Sequence, residues 1–212
     1  DGPAVRACGR ILSELHSVEL EPEIRDFLRP EKYQTCAGYL EWRMRENTNV
    51  VDELGRDHGV QALVPEYIRA VREESPNPQS VTRIPAFRVN EAPVLVHGDV
   101  NVNNFVWESE SQARLIDWED VRLGDAAEDI AYFFIENLVG ADLQTEFWDE
   151  YGQHTSLEPE ALRHRAEAWR GPTILASGLW WLDRYCNPVA DDATPREFYR
   201  EGAEDRLRWF AA

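Results

Sequence analysis

Residues 97–104 read His-Gly-Asp-Val-Asn-Val-Asn-Asn, a polar stretch set between the apolar runs 94–96 and 105–107. A second acid-rich piece, Leu115-Ile116-Asp117-Trp118-Glu119-Asp120, follows after the polar turn at 108–112. Phosphoryl transfer from a nucleotide uses these residue types. One aspartate orients the attacking hydroxyl and takes its proton, while an asparagine and a second aspartate hold magnesium against the phosphates. Magnesium suits such a set, because it binds hard oxygen ligands and keeps several waters, so few protein groups are needed. In loops of this kind the asparagine stands five residues after the aspartate. Counted from Asp99, that is Asn104 and not Asn101 or Asn103, which read as turn residues.

The elements around these residues must bring them together. Residues 94–96 and 105–107 read as short strands, and the stretch from Ala113 to Trp118 reads as the hairpin partner of the second. A hairpin there brings Asn104 and Asp117 to the same end of one ladder, Asp117 closing the strand that pairs with the one leaving the loop. Asp125 has the character of a helix N-cap with Glu128 as its capping-box partner. Asp129 then falls in the first helical turn, within reach of the 97–104 backbone.

Elsewhere the pattern is helical. Val5, Cys8, Ile11, Leu12, Leu15 and Val18 recur at helical steps after Pro3, and Glu21-Pro22 opens a short helix through Phe27 and Leu28. Longer patterns follow at 35–57 and after Pro65, and a loop falls at 75–80. Helices are expected at 125–139, 142–154, 159–170, 172–185 and 195–210, with Pro159, Pro172 and Pro195 near helix starts. The fold class expected is α+β and mostly α: a helical body with a small β-hairpin carrying the loop. As a single lobe of residues 1–212 it would comprise helices over 1–75, a loop and chemical segment over 76–131, and C-terminal helices over 125–212.

His97-Gly98-Asp99 with Asn104, then Ile116-Asp117-Trp118-Glu119, then Gly124-Asp125 with Asp129-Ile130-Ala131, resemble the aminoglycoside phosphotransferase and choline kinase-like family. The stretch Leu12–Val18 is similar to that family's helix after the interlobe hinge. The resemblance implies the C-terminal lobe of a protein-kinase-like fold, with ATP or another nucleoside triphosphate and Mg2+ as cofactors. It makes Asp99 the catalytic base, Asn104 and Asp117 the magnesium ligands, and Asp129 a support of the catalytic loop. His97 is expected to support the loop rather than act as a second base. The family's N-terminal β lobe, with its phosphate-binding lysine, does not precede Asp1, and Lys32 is the sole lysine. The chain is therefore expected to be the C-terminal lobe alone, a fragment of a longer enzyme before a naturally truncated form, with the missing lobe as its partner and little turnover alone.

The function expected of the full-length protein is Mg-assisted, ATP-dependent phosphorylation of a hydroxyl on an aminoglycoside-, choline- or sugar-like acceptor. A catalytically retired binding lobe and a metal-dependent phosphohydrolase are the alternatives. Glu119 and Asp120 either meet a cationic acceptor or face solvent. Trp180, Trp181 and Tyr185 read first as helix packing and second as pocket walls, where Asp183 can bind an amine. His16, His58, His154 and His164 show no metal-ligand spacing and read as surface or ordinary helix positions.

Composition bounds the partners. The 212 residues carry 40 acidic and 22 basic side chains, a net charge of −18, which disfavours nucleic acid and anionic membranes. An acid-rich chain whose cations are all arginine except Lys32 fits a protein working in high salt, where screening relieves self-repulsion. Three widely spaced cysteines, Cys8, Cys36 and Cys186, match no zinc pattern and suit a reducing cytoplasm.

Overall fold

The structure, a computed structural model, describes residues 2–28, 93–189 and 193–211. The helices expected at 35–57 and after Pro65, the loop at 75–80, and Lys32, Cys36 and His58 lie outside the described residues. The chain divides into two compact units, residues 1–34 with 88–170 and residues 35–87 with 171–212. Within the first, the N-terminal helix packs against elements more than a hundred residues later.

In the first unit, α1 (Gly2–His16) buries Val5, Cys8, Leu12 and Leu15 of the predicted face, with Ala7 and Gly9 beside them, while Ile11 is half-buried. Val18 is an exception, lying past the helix end and exposed. The short α2 (Pro22–Phe27) opens at its proline and buries none of its residues, and Phe27 is 87% exposed. Strand β1 (Val94–Val96) leads into the 97–104 loop, and β2 (Phe105–Ser109) pairs antiparallel with β3 (Gln112–Leu115), the expected hairpin. The partner strand ends at Leu115 and does not run to Trp118, because Asp117 turns left-handed into a 3-10 turn. The register sets Phe105 opposite Leu115, with a bulge between Trp107 and Ser109. A fourth strand, β4 (Arg122–Gly124), pairs antiparallel with β1 and was not visible in the sequence. Only one of its three residues, Leu123, is a buried apolar, so pairing with β1 makes it a strand rather than its own pattern.

Next come α3 (Ala126–Glu136), shorter than expected, and α4 (Ala141–His154). The unit's core is aromatic. Phe133, Phe147 and Tyr151 stack in series, with centroids 5.4 and 5.8 Å apart, and Phe134 and Trp148 meet Phe147 edge-on at 4.9 and 5.6 Å. Helix α1 packs chiefly on α4. Gly9 permits the close crossing, since a Cβ there would stand 2.8 Å from the Phe147 carbonyl oxygen.

The helices expected at 159–170 and 172–185 are one, α5 (Pro159–Cys186). Pro172 lies inside it, not at a start. It denies an N–H to the carbonyl four residues back, a loss of about 3 kcal/mol in an unsupported helix. Burial of Trp169, Thr173, Ile174 and Ala176 on either side of Pro172 favours continuation. In the second unit, the later half of α5 and α6 (Arg196–Ala211) enclose a small core of Leu182, Tyr185 and Ala203, with Trp181, Cys186 and Tyr199 against it.

Candidate active site

The loop leaving β1 turns at once. Gly98 adopts φ 86°, a left-handed conformation that side chains rarely tolerate, and a Cβ there would stand 2.8 Å from the Asp120 carbonyl oxygen and collide with the Arg122 guanidinium. Asn101 then caps the single 3-10 turn Val102–Asn104 by accepting from the Asn103 N–H at 2.9 Å. These bends fold the loop back on its own aspartate. Asn104 Nδ2 donates both of its hydrogens to Asp99, one to the backbone oxygen and one to Oδ2, each at 2.8 Å. Asn101 Nδ2 donates to Asp99 Oδ1 at 2.9 Å, so Asn101 is more than the turn residue expected. A third donor was not foreseen: the Tyr132 hydroxyl, 2.6 Å from Asp99 Oδ1.

His97 is wholly buried, and its Nε2 lies 2.8 Å from the Ile116 carbonyl oxygen. That partner only accepts, so Nε2 carries the hydrogen, and Nδ1 accepts from the Asp99 N–H at 3.3 Å. The Trp118 ring packs edge-on against the imidazole at 4.8 Å. Nε2 thus ties the loop to the segment that carries Asp117, while Nδ1 holds the turn within the loop.

Helix α3 holds the loop along its length. Asp125 caps it by accepting from the Ala127 N–H at 3.0 Å, and the side chains of Arg165 and Trp169 also donate to that carboxylate. The carboxylate of Glu128, the expected capping-box partner, forms an ion pair with Arg122 of β4. One residue further, Asp129 accepts from the N–H groups of His97 at 2.7 Å and Gly98 at 2.9 Å. At the other end, Asn137 donates to the Val100 carbonyl at 3.1 Å and accepts from the Val102 N–H at 2.6 Å. Asp129, Tyr132 and Asn137 thus reach three successive points of the loop, Tyr132 taking the aspartate itself.

Behind Asp129 stands His16 from α1. Sequence reasoning placed His16 among surface or ordinary helix positions, yet it is buried, with Nε2 at 3.2 Å from Asp129 Oδ2 and Nδ1 at 2.8 Å from the Tyr151 hydroxyl. Its partners are 113 and 135 residues away, so only the Leu12–Val18 resemblance carried any signal of it. Burial opposes ionisation of Asp129. The hydrogen bond and charge of His16, with the two loop N–H groups, outweigh it and hold the carboxyl below the usual aspartate range. Burial also raises the Tyr151 phenol, which stays protonated, and pushes the Cys8 thiol up to about 12, so Cys8 is packing and not a nucleophile.

Asp117 stands two residues past the open end of the hairpin, on the side of Asn104. The Ile116 N–H donates to the Asn104 carbonyl at 2.9 Å, tying the two segments one residue before Asp117. Asp117 adopts φ 65°, ψ 66°, a left-handed conformation that costs a non-glycine residue about 1 kcal/mol and clusters at functional sites. Its carboxylate makes no capping bond to the turn Trp118–Asp120 that follows, and it is exposed. Glu119 and Asp120 lie in that turn and are exposed too.

The donor chemistry fits magnesium. Both hydrogens on Asn104 Nδ2 are committed to Asp99, and among the described residues the amide oxygen makes no hydrogen bond. A free amide oxygen and an uncommitted carboxylate are the hard ligands that Mg2+ takes. Among the described residues no cluster of three or more histidine, cysteine or carboxylate side chains forms a metal cage. Magnesium, which binds through few protein groups, does not need one.

Trp180 and Asp183 belong to the second unit. Trp180 is 43% exposed, packs edge-on against Trp181 and Tyr199, and carries the Arg184 guanidinium 5.2 Å from its centroid. Asp183 accepts from Asn187 Nδ2 at 2.9 Å.

A sequence profile of the phosphotransferase enzyme family matches residues 2–169. The fold is similar to that of an ethanolamine kinase from Plasmodium vivax, with a TM-score of 0.67 and 16% identity over 98% of this chain and 59% of that one. A choline/ethanolamine kinase family protein from Mesorhizobium loti matches with a TM-score of 0.65 and 19% identity, over 98% of this chain and 60% of its own. An AMP-bound spectinomycin phosphotransferase matches with a TM-score of 0.62 and 18% identity, over 100% of this chain and 66% of its own. The chain therefore spans 59% to 66% of the length of these structures. No curated protein sequence matches it.

Proposed function

The chain belongs to the phosphotransferase enzyme family, and we propose that its full-length protein transfers the terminal phosphoryl group of a nucleoside triphosphate to a hydroxyl of a small molecule. Asp99 receives the hydroxyl hydrogen bond and takes the proton. As the O–H bond breaks, the alkoxide oxygen bonds the terminal phosphorus, and the bond to the bridging oxygen breaks to release the nucleoside diphosphate. Asn104 and Asp117 would hold magnesium, which when bound neutralises charge on the phosphates. No covalent enzyme intermediate is required, since positioning and electrostatics carry the chemistry.

One observation supports this reading above the others. Asn104 spends its amide nitrogen on Asp99, so acid and amide form one rigid pair whose remaining oxygen is free for a cation. His97 and Asp129 act beneath them, on the loop backbone. The nucleotide donor is supported by the AMP-bound spectinomycin phosphotransferase of like fold. The acceptor is proposed to be a small hydroxyl compound of the aminoglycoside, choline or sugar kind. Glu119 and Asp120 are the acids proposed to meet it.

The test uses the full-length protein with Mg2+, terminally labelled ATP or GTP, and choline, ethanolamine, kanamycin, spectinomycin and simple sugars as acceptors. Label is expected on an acceptor, and Asp99→Ala should lower the rate by about a thousandfold while nucleotide binding persists. Phosphate release at one rate with or without acceptor would instead favour a phosphohydrolase. Wild-type transfer by Asp99→Ala removes Asp99 from the mechanism.

A further inference from the structure

We propose that Tyr132 is a positioning residue for the base, selecting which oxygen of Asp99 receives the acceptor's proton; this rests on Asp99 being that base. A carboxylate offers about four lone-pair sites, two on each oxygen. Oδ1 is filled from both sides, by the Tyr132 hydroxyl at 2.6 Å and Asn101 Nδ2 at 2.9 Å. Oδ2 takes only Asn104 Nδ2, at 2.8 Å, and keeps one site open. The acceptor hydroxyl therefore docks on Oδ2, the oxygen beside the metal-holding amide. In the step, the acceptor O–H bond breaks, its proton bonds to Oδ2, and the freed electron pair forms the new P–O bond as the nucleoside diphosphate leaves.

The placement of Tyr132 gives it this role and not a packing one alone. It sits three residues after Asp129, one helical turn along α3, on the side that faces the loop. Asp129 and Asn137 fix the loop backbone. Asn101 and Asn104 rise from the loop they steady and move with it. Tyr132 is the one donor to this carboxylate that comes from outside the loop among the described residues, so it ties the carboxylate's rotation to the helix. Nothing in the sequence marks it, since a tyrosine in Ile130-Ala131-Tyr132-Phe133-Phe134 reads as one more aromatic of an apolar helix.

The experiment compares wild type with Tyr132→Phe, Tyr132→Leu and Asp99→Ala in the full-length protein, with MgATP and the acceptor returned by the panel of choline, ethanolamine, kanamycin, spectinomycin and sugars. Tyr132→Phe is expected to lower kcat about tenfold or more, with KM for ATP and acceptor within about twofold of wild type. Tyr132→Leu should show a similar loss of kcat despite a lower Tm. A loss that follows Tm instead of the hydroxyl makes Tyr132 a packing residue and overturns the proposal. Wild-type kcat in Tyr132→Phe beside an inactive Asp99→Ala overturns Tyr132 alone, whereas wild-type kcat in Asp99→Ala overturns the base assignment beneath it. A readout without substrate is the thermal double-mutant cycle of Tyr132→Phe and Asp99→Ala. The double variant should lose about 2–5 °C less than the sum of the single losses, and strict additivity would show that the two groups do not interact.

Discussion

Asp129 holds the start of the loop through two backbone N–H groups. It joins two loop amides to a buried histidine, and its carboxyl is held below the usual aspartate range. An unfolded aspartate titrates near pH 3.9. Because the folded value is lower, the stabilisation is fully present above about pH 4 and is lost as pH falls through the folded value. Asp129→Asn should cost about 3 kcal/mol in urea unfolding at pH 7, since it removes one partner of a buried ionic group. The same variant should flatten the acid limb of stability below about pH 4, and an unchanged limb would mean another group carries that linkage. Much of this site was legible in the residue order. The five-residue step from Asp99 picked Asn104, and the capping pattern put Asp129 in the first helical turn. His16, Tyr132 and Asn137 were not legible, because their partners lie 113, 33 and 35 to 37 residues away and are set by how the helices dock. A polar atom on an apolar helix face discloses only that it needs a partner, never which one.

Helix α1 has to cross α4 at backbone range for His16 to reach Asp129, and Gly9 is the residue that permits it. Gly9→Ala puts a methyl group 2.8 Å from the Phe147 carbonyl oxygen, an atom that cannot swing aside. The helices must part, at an expected cost of about 1–3 kcal/mol, read as a lower Tm; an unaltered Tm would place the crossing elsewhere. The β2–β3 hairpin was foreseeable, since two apolar runs flank a polar turn. The strand β4 and the unbroken course of α5 were not. Each departs from its local preference because neighbouring residues gain more from burial or pairing than the segment loses, as Pro172 within α5 illustrates.

The molecule as a whole carries a net charge of −18, and its ion pairs are formed by arginine and histidine among the described residues. Self-repulsion at that charge falls when salt shortens the Debye length from about 10 Å at 0.1 M to about 3 Å at 1 M. The urea midpoint is expected to rise between 0.1 and 2 M KCl, and a midpoint that stays level or falls would end the high-salt reading of the composition. Charge was plain in the sequence, whereas the assignment of residues 1–34 and 88–170 to one unit was not, since it depends on contacts between distant segments. The contact from His16 Nε2 to Asp129 bridges that gap between two wholly buried side chains. A proton held there exchanges slowly and resonates downfield of the amide envelope in an NMR spectrum. Its signal can emerge only after the first helix has docked on the third, so one resonance would time the closing of a chain segment more than a hundred residues long, with no ligand needed to observe it.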